Sequence, residues 1–344
     1  MKRLDQALPL TRRRLLQLLA SLGLASSAVG RAARAWAEAA AEPESWPEMT
    51  YRTLGRTGFR GSRLVVGCGA AMMFFRKDEL LDQAFAHGIN VFDVGTSEYY
   101  RNAESHLSDF ARRNRSRIFL ISKGLIGFQT TPDEVLTGEQ RRTAADKWSK
   151  ALDRSLTDLK ADKVDAYYVM ATNNVSLVRS EEMHSAFLAA KQAGKVDHFG
   201  LSTHQNTQAV LDAASETGWY SLAQIAITPA GWYDWNTKAV LPDSPPMKAL
   251  QPTLEKARSA GIGLIGMKAA RHLTGSLMGF GPDRPTAFDN HYNEKLLQAS
   301  LSPFQRSYAY VLAHGLDAVN ADSQSVDQLR ENFFAAATSE SYFA

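Results

Sequence analysis

The chain has 344 residues, with 39 Lys and Arg against 36 Asp and Glu, and is 44% hydrophobic and 22% charged. That profile belongs to a folded globular protein and excludes a disordered tail, a collagen-like repeat and a polytopic membrane protein. One cysteine, Cys68, excludes an intrachain disulfide and a cysteine-rich metal cluster, and eight scattered histidines without H-x-x-x-H spacing give no metal site.

Positive charge is concentrated at the start. Residues 1–37 hold Lys2, Arg3, Arg12, Arg13, Arg14, Arg31 and Arg34 against Asp5 alone, so this segment carries +6 and leaves −3 for the rest of a chain whose total is +3. The body therefore offers no basic surface for nucleic acid. Thr11-Arg12-Arg13-Arg14-Leu15-Leu16-Gln17 resembles a twin-arginine export signal. The apolar run after it, 15–29, is too short and too rich in Ala, Ser and Gly to span a bilayer. Ala35-Trp36-Ala37 has the A-x-A form of a processing site. This resemblance implies a signal peptide over 1–37, a linker over 38–49 and one domain over 50–344. It also implies export of the folded protein by the twin-arginine machinery to the periplasm, with no stable membrane insertion after processing.

From residue 50 the chain alternates. Thr53-Leu54-Gly55-Arg56-Thr57-Gly58 carries turn chemistry between short extended pieces and predicts a small hairpin. Apolar, β-rich runs then fall at 64–68, 89–93, 118–122, 164–169, 198–201, 222–227, 262–267 and 316–319. Amphipathic stretches near 78–87, 103–113, 143–159, 180–193, 206–215, 247–259, 302–313 and 325–338 predict helices between them. Short hydrophobic runs without strict alternation suit parallel strands covered on both faces. Eight strand–helix units predict an α/β fold, a (β/α)8 TIM barrel with a short N-terminal hairpin. A doubly wound sheet is the alternative, but no G-x-G-x-x-G follows an early strand. The gaps at 124–142 and 228–246 exceed ordinary loops and predict functional excursions; the second is aromatic, with Trp232, Tyr233 and Trp235.

A barrel carries its chemistry at the carboxyl ends of its strands. Those ends hold Asp93, Lys123, Met170, Ser202, Gln224 and Lys268, with Tyr99 and Tyr100 shortly after Asp93. A phenol beside an ammonium becomes a better proton donor to a carbonyl receiving hydride, and a carboxylate holds that ammonium in place. Taken alone, each residue has a plain structural alternative: a helix cap for the acid, a solvated surface group for the lysine, core packing for Met170. His204, at the end of its strand, is read chiefly as a cap for the next helix, with a pocket role as the alternative.

Leu54-Gly55-Arg56-Thr57-Gly58, Gly88-Ile89-Asn90-Val91-Phe92-Asp93, Tyr100-Arg101-Asn102-Ala103-Glu104, Ile121-Ser122-Lys123 and Val164-Asp165-Ala166-Tyr167 resemble, in order, signatures of the aldo-keto reductase family. The resemblance implies a (β/α)8 barrel that reduces small carbonyls (aldehydes, ketones or sugar-like substrates) with NADPH or NADH through an Asp, Tyr, Lys and His set. It assigns Asp93, Tyr100 and Lys123 as catalytic, with Tyr99 as the alternative tyrosine. The histidine position is Met170, whose thioether cannot donate a hydrogen bond. By the same resemblance Ser202, Gln224, Lys268, Gln328 and Asn332 contact the dinucleotide, and Tyr99, Met170 and Trp232 line the substrate pocket. The family's stacking tyrosine is replaced by Ile227, and its basic phosphate loop by Ala321-Asp322-Ser323-Gln324. Met170, Ile227 and Asp322 together support an alternative reading, a catalytically impaired barrel that binds a ligand or a protein.

Overall fold

The computed structural model describes residues 46–273 and 284–343. The export-signal reading falls on residues outside these.

Eight parallel strands close on themselves. In chain order they are β3 (Leu64–Gly67), β4 (Val91–Asp93), β5 (Phe119–Gly124), β6 (Val164–Val169), β7 (Val196–Thr203), β8 (Leu222–Thr228), β11 (Gly263–Met267) and β12 (Ala318–Ala321). Each pairs in parallel with the next, and β12 returns to β3 through Val319↔Leu64 and Ala321↔Val66. Among the described residues, eight helices of nine residues or more accompany them: α1 (Asp78–Ala86), α2 (Ala103–Asn114), α3 (Gly138–Leu159), α4 (Glu181–Gln192), α5 (Thr207–Thr217), α6 (Gln251–Ser259), α7 (Pro303–Ala313) and α8 (Val326–Thr338). This is the predicted (β/α)8 barrel.

Local chemistry fixes the helix starts. Thr137 with Gln140, and Ser302 with Gln305, form reciprocal capping boxes, each satisfying backbone N–H groups that the first turn leaves free. Ser180 and Ser325 cap α4 and α8 in the simpler way.

The hairpin of β1 (Tyr51–Thr53) and β2 (Arg60–Ser62) closes the amino end. Leu54 is fully buried in the barrel's inner cluster with Val65, Val91, Phe119, Ile121, Ala166, Tyr168, Leu222, Ile265 and Ala318. Gly55 follows with φ of 51°. A Cβ there would stand 2.2 Å from the Gly263 nitrogen, so the turn lies backbone against backbone on the start of β11. Arg56 completes the seat by donating to the carbonyls of Gly218 and Ala260.

At the carboxyl end the excursion over 228–246 is structured. β9 (Gly231–Asp234) folds back antiparallel on β8, and β10 (Ala239–Val240) pairs with β9.

Inside the barrel, Gly200 lies opposite Tyr168, and a Cβ at Gly200 would meet the Tyr168 ring at 2.2 Å. Tyr168 is fully buried and cannot swing to solvent. We predict that Gly200→Ala lowers unfolding free energy by about 1–3 kcal/mol, the usual cost of overpacking, in urea denaturation. An unchanged midpoint would show that the ring has room to shift.

Candidate active site

Strand geometry determines which residues reach the carboxyl mouth. Side chains alternate along a strand, so the position two beyond an inward core residue also points inward. Val91 leads to Asp93, Ile121 to Lys123, Tyr168 to Met170, Leu222 to Gln224, Ile265 to Met267, and Ala318 to Asn320 and Asp322. On β7 the same parity runs from Gly200 through Ser202 to His204. These residues line one pocket of about 200 Å3, joined by Gly69, Tyr100, Lys268, Ala270, Arg271 and, from α7, Phe304 and Tyr308.

Its floor is an ion pair. Lys123 Nζ donates to Asp93 Oδ1 at 2.5 Å and to the Val94 carbonyl at 2.6 Å, and both side chains are about 6% exposed. The other carboxylate oxygen accepts from Asn320 Nδ2 at 2.5 Å and from Gln224 Nε2 at 3.4 Å. Asp93 is thus held from three strands, and its charge is matched within hydrogen-bonding distance, as burial of a charge demands.

Tyr100 ends a single helical turn, Ser97–Tyr100, opened by Thr96. Its ring sits in a slot between two glycines. A Cβ on Gly69 would stand 2.9 Å from the ring, and one on Gly95 would stand 3.0 Å from it. Burial pushes the phenol above its ordinary range, and the carboxylates of Asp322 and Asp93 push the same way. The sequence reading expects Lys123 to lower it. The ammonium does not act so here because it is committed to Asp93 and the Val94 carbonyl. The phenol is therefore held protonated.

Tyr99 turns away. It is 48% exposed, packs edge-on against Tyr100 at 4.8 Å, and does not line the pocket.

Two polar groups open into the pocket beside the Asp93–Lys123 pair. Gln224 Oε1 is buried with no hydrogen-bond partner, an acceptor waiting for a donor. Ser202 Oγ accepts from the Ala171 N–H at 3.0 Å, which leaves its own hydrogen free to donate into the pocket. Lys268, with φ of 64°, places its ammonium 4.7 Å from the Trp235 ring centre, where Lys238 stands at 3.0 Å. Burial lowers the Lys268 pKa, and Arg271 and Lys123 add to this while Asp322 opposes it. Asp322 is itself pushed up by burial.

Other residues expected at the site stand away from it. Trp232 pairs with Ile227 on β8, the face opposite Ala226, so the hairpin turns Tyr233 and Trp235 toward Met267 and buries Trp232 elsewhere. Ile227 is fully buried and does not line the pocket. Gln328 Oε1 accepts from the Gln324 N–H at 2.8 Å, and Asn332 Nδ2 donates to Ser323 Oγ at 3.1 Å. Both tie the loop after β12 to α8, outside the pocket lining. His204 does not cap: Asn206 is the N-cap of α5, and His204 lines the pocket.

Sequence reasoning did not find Asn320, Phe304 or Tyr308. Asn320 follows Ala318 by two on β12, and Phe304 and Tyr308 are spaced i, i+4 on one face of α7, so both signals were available.

Burial, then the charges of Lys268, Lys123 and Lys238, lower His204 to about 3. Unfolded, the ring titrates near about 6.5. Between those values the unfolded chain binds one more proton, so the stability contributed is complete above the unfolded value and drains away as pH falls below it. We predict that His204→Asn loses less unfolding free energy than the native protein between about pH 7 and 4.5, by up to about 1.4 kcal/mol per pH unit. Urea denaturation at the two pH values measures this, and equal losses would contradict it.

The sequence profile of the Aldo/keto reductase family matches residues 69–341. The chain is 27% identical over 187 residues to L-glyceraldehyde 3-phosphate reductase of Escherichia coli K12, and the O157:H7 protein matches equally. That match covers 51% of this chain and 52% of the relative, so the chain spans about half the length of the curated relatives it matches. A solved structure of a Pseudomonas aeruginosa protein assigned to the aldo-keto reductases superposes with a TM-score of 0.59 at 20% identity, covering 86% of this chain and 99% of that one. With the barrel, the buried lysine–aspartate floor and the profile over most of its length, the chain belongs to the aldo/keto reductase family.

Proposed function

We propose that the protein reduces a small carbonyl (aldehyde, ketone or sugar-like) with NADPH or NADH, in the periplasm after twin-arginine export. The observation that carries this reading is the buried Asp93–Lys123 pair beneath a phenol slotted at the mouth of the same pocket. The dinucleotide, when bound, supplies hydride to the carbonyl carbon. Gln224 and Ser202 are the residues to hold its carboxamide, as acceptor and donor. Lys268 and Arg271 bring positive charge to the phosphate side, against which Asp322 works. Gln328 and Asn332 stand toward the adenine end by family position. The resident carboxylate at Asp322 supports NADH over NADPH, since a 2′-phosphate gains nothing from it.

Tyr100 gives its proton to the carbonyl oxygen as that oxygen becomes negative. Its raised pKa guarantees a loaded acid at neutral pH and makes the proton costlier to release. The relatives' name adds a substrate class, small phosphorylated aldehydes. A second reading, a barrel that binds without turnover, is favoured by Met170 at the donor position and by Ile227 outside the pocket.

Titration with NADPH and NADH, followed by tryptophan fluorescence, separates these readings from the outset. Binding of either dinucleotide with reduction of glyceraldehyde or its 3-phosphate is expected; absence of binding by both would overturn the proposal, and binding without turnover would favour the second reading. Tyr100→Phe should lower turnover by about 100-fold or more, the scale of a lost general acid, while Tyr99→Phe stays within about threefold. The opposite pattern would make Tyr99 the acid. A separate check is alkaline titration: the phenolate absorption of wild type and Tyr100→Phe should coincide up to about pH 10, where an ordinary tyrosine is half ionised. A phenol missing from the variant's curve in that range would contradict the raised value.

A further inference from the structure

We propose that His204 donates the hydrogen bond to the substrate carbonyl oxygen that Met170 cannot. This rests on the reduction reading above and adds a catalytic residue to it.

The pocket contains the acid but lacks a second donor at the strand-4 position. Met170 points inward from β6, and its sulfur has no hydrogen to give. β7 lies directly beside β6, with Val169 opposite Leu201. Its inward row continues past Ser202 to His204, which lines the same cavity as Met170, Tyr100 and Gln224. The helix that follows, α5, has Asn206 as its N-cap and takes no side-chain cap bond. The His204 side chain faces the cavity rather than the helix start. The ring is held in place: it packs on Trp235 at 5.8 Å, and its carbonyl accepts from the Trp235 N–H at 3.4 Å.

The surroundings also set its protonation. Lys268, Lys123 and Lys238 face it, with Asp234 as the opposing charge, and together with burial they keep the imidazole neutral. A neutral imidazole presents one N–H and one bare nitrogen. It can therefore hydrogen-bond a developing oxyanion without carrying charge into a pocket that already holds Lys123, Lys268 and Arg271. His204 gives up no proton in this scheme. Hydride reaches the carbonyl carbon from the dinucleotide, the proton reaches the oxygen from Tyr100, and the imidazole N–H only stabilises the negative charge between those events. Donors placed at such a position are worth about 100- to 1,000-fold in turnover.

The test compares wild type, His204→Ala, His204→Gln and the double variant His204→Ala with Met170→His, using glyceraldehyde and 4-nitrobenzaldehyde with NADPH and NADH. Circular dichroism and thermal melting establish that each variant folds, and His204→Gln serves if the alanine variant does not. The expected result is a fall in kcat of about 100-fold for His204→Ala, with KM and the fluorescence-measured dinucleotide Kd within about threefold. The glutamine variant, which keeps an N–H, should fall between, and Met170→His should restore about tenfold or more to the alanine background. A His204→Ala enzyme within about threefold of wild-type kcat overturns the proposal, as does a loss confined to KM or to dinucleotide Kd. If wild type binds a dinucleotide yet reduces neither aldehyde, the reduction reading falls first and takes this assignment with it; an active wild type with an unaffected variant removes only His204.

Discussion

The centre of the molecule is one carboxylate. Asp93 lies where four strands can reach it: its own, that of Lys123, and those of Gln224 and Asn320. An ionised carboxylate inside a barrel is tolerated only when its charge and its lone pairs are answered on the spot. Here one oxygen takes the ammonium and the other takes two amides. The partners come from β5, β8 and β12, so the ionic floor also ties together strands far apart in sequence. Removing the carboxylate would leave a buried ammonium holding only the Val94 carbonyl, which is the costly half of breaking such a pair.

The commitment of Lys123 to Asp93 changes the expected electrostatics. From composition of the site alone, a lysine near a tyrosine is read as a device for lowering the phenol. The geometry makes the lysine and the aspartate neutralise one another first, and the phenol then responds to burial and to the two carboxylates around it. An acid held protonated suits the reductive direction, in which the phenol must begin with its proton. The oxidative direction asks for a phenolate, which this environment disfavours.

Much of the architecture was legible because it rests on periodicity. Eight apolar runs and eight amphipathic stretches give the barrel, and the turn at Leu54-Gly55 gives the hairpin that closes it. The inward residues at the carboxyl ends follow from parity on each strand, which is why Asp93, Lys123, Met170, Ser202 and Gln224 meet in one cavity. Parity extended two residues further would also have returned Asn320 and favoured the pocket alternative for His204. What resisted reading lies off the strands. Tyr99 and Tyr100 are neighbours on a single turn, and only the fold of that turn separates the buried ring from the exposed one. Trp232 sits on a strand that reverses direction, so its facing depends on a register, Ile227↔Trp232, set by the tightness of the β8–β9 turn. Gln328 and Asn332 are polar residues near a loop whose own N–H and hydroxyl groups compete for them.

The slot around Tyr100 has a wider implication. The ring is placed by two missing side chains, at Gly69 on the turn after β3 and at Gly95 after β4. Growth of a methyl group at either point would crowd the phenol out while every reacting atom stayed in the chain. Barrels of this kind can thus fall silent with their chemical inventory complete, and the vacancies beside a catalytic group belong to its definition as much as the group itself.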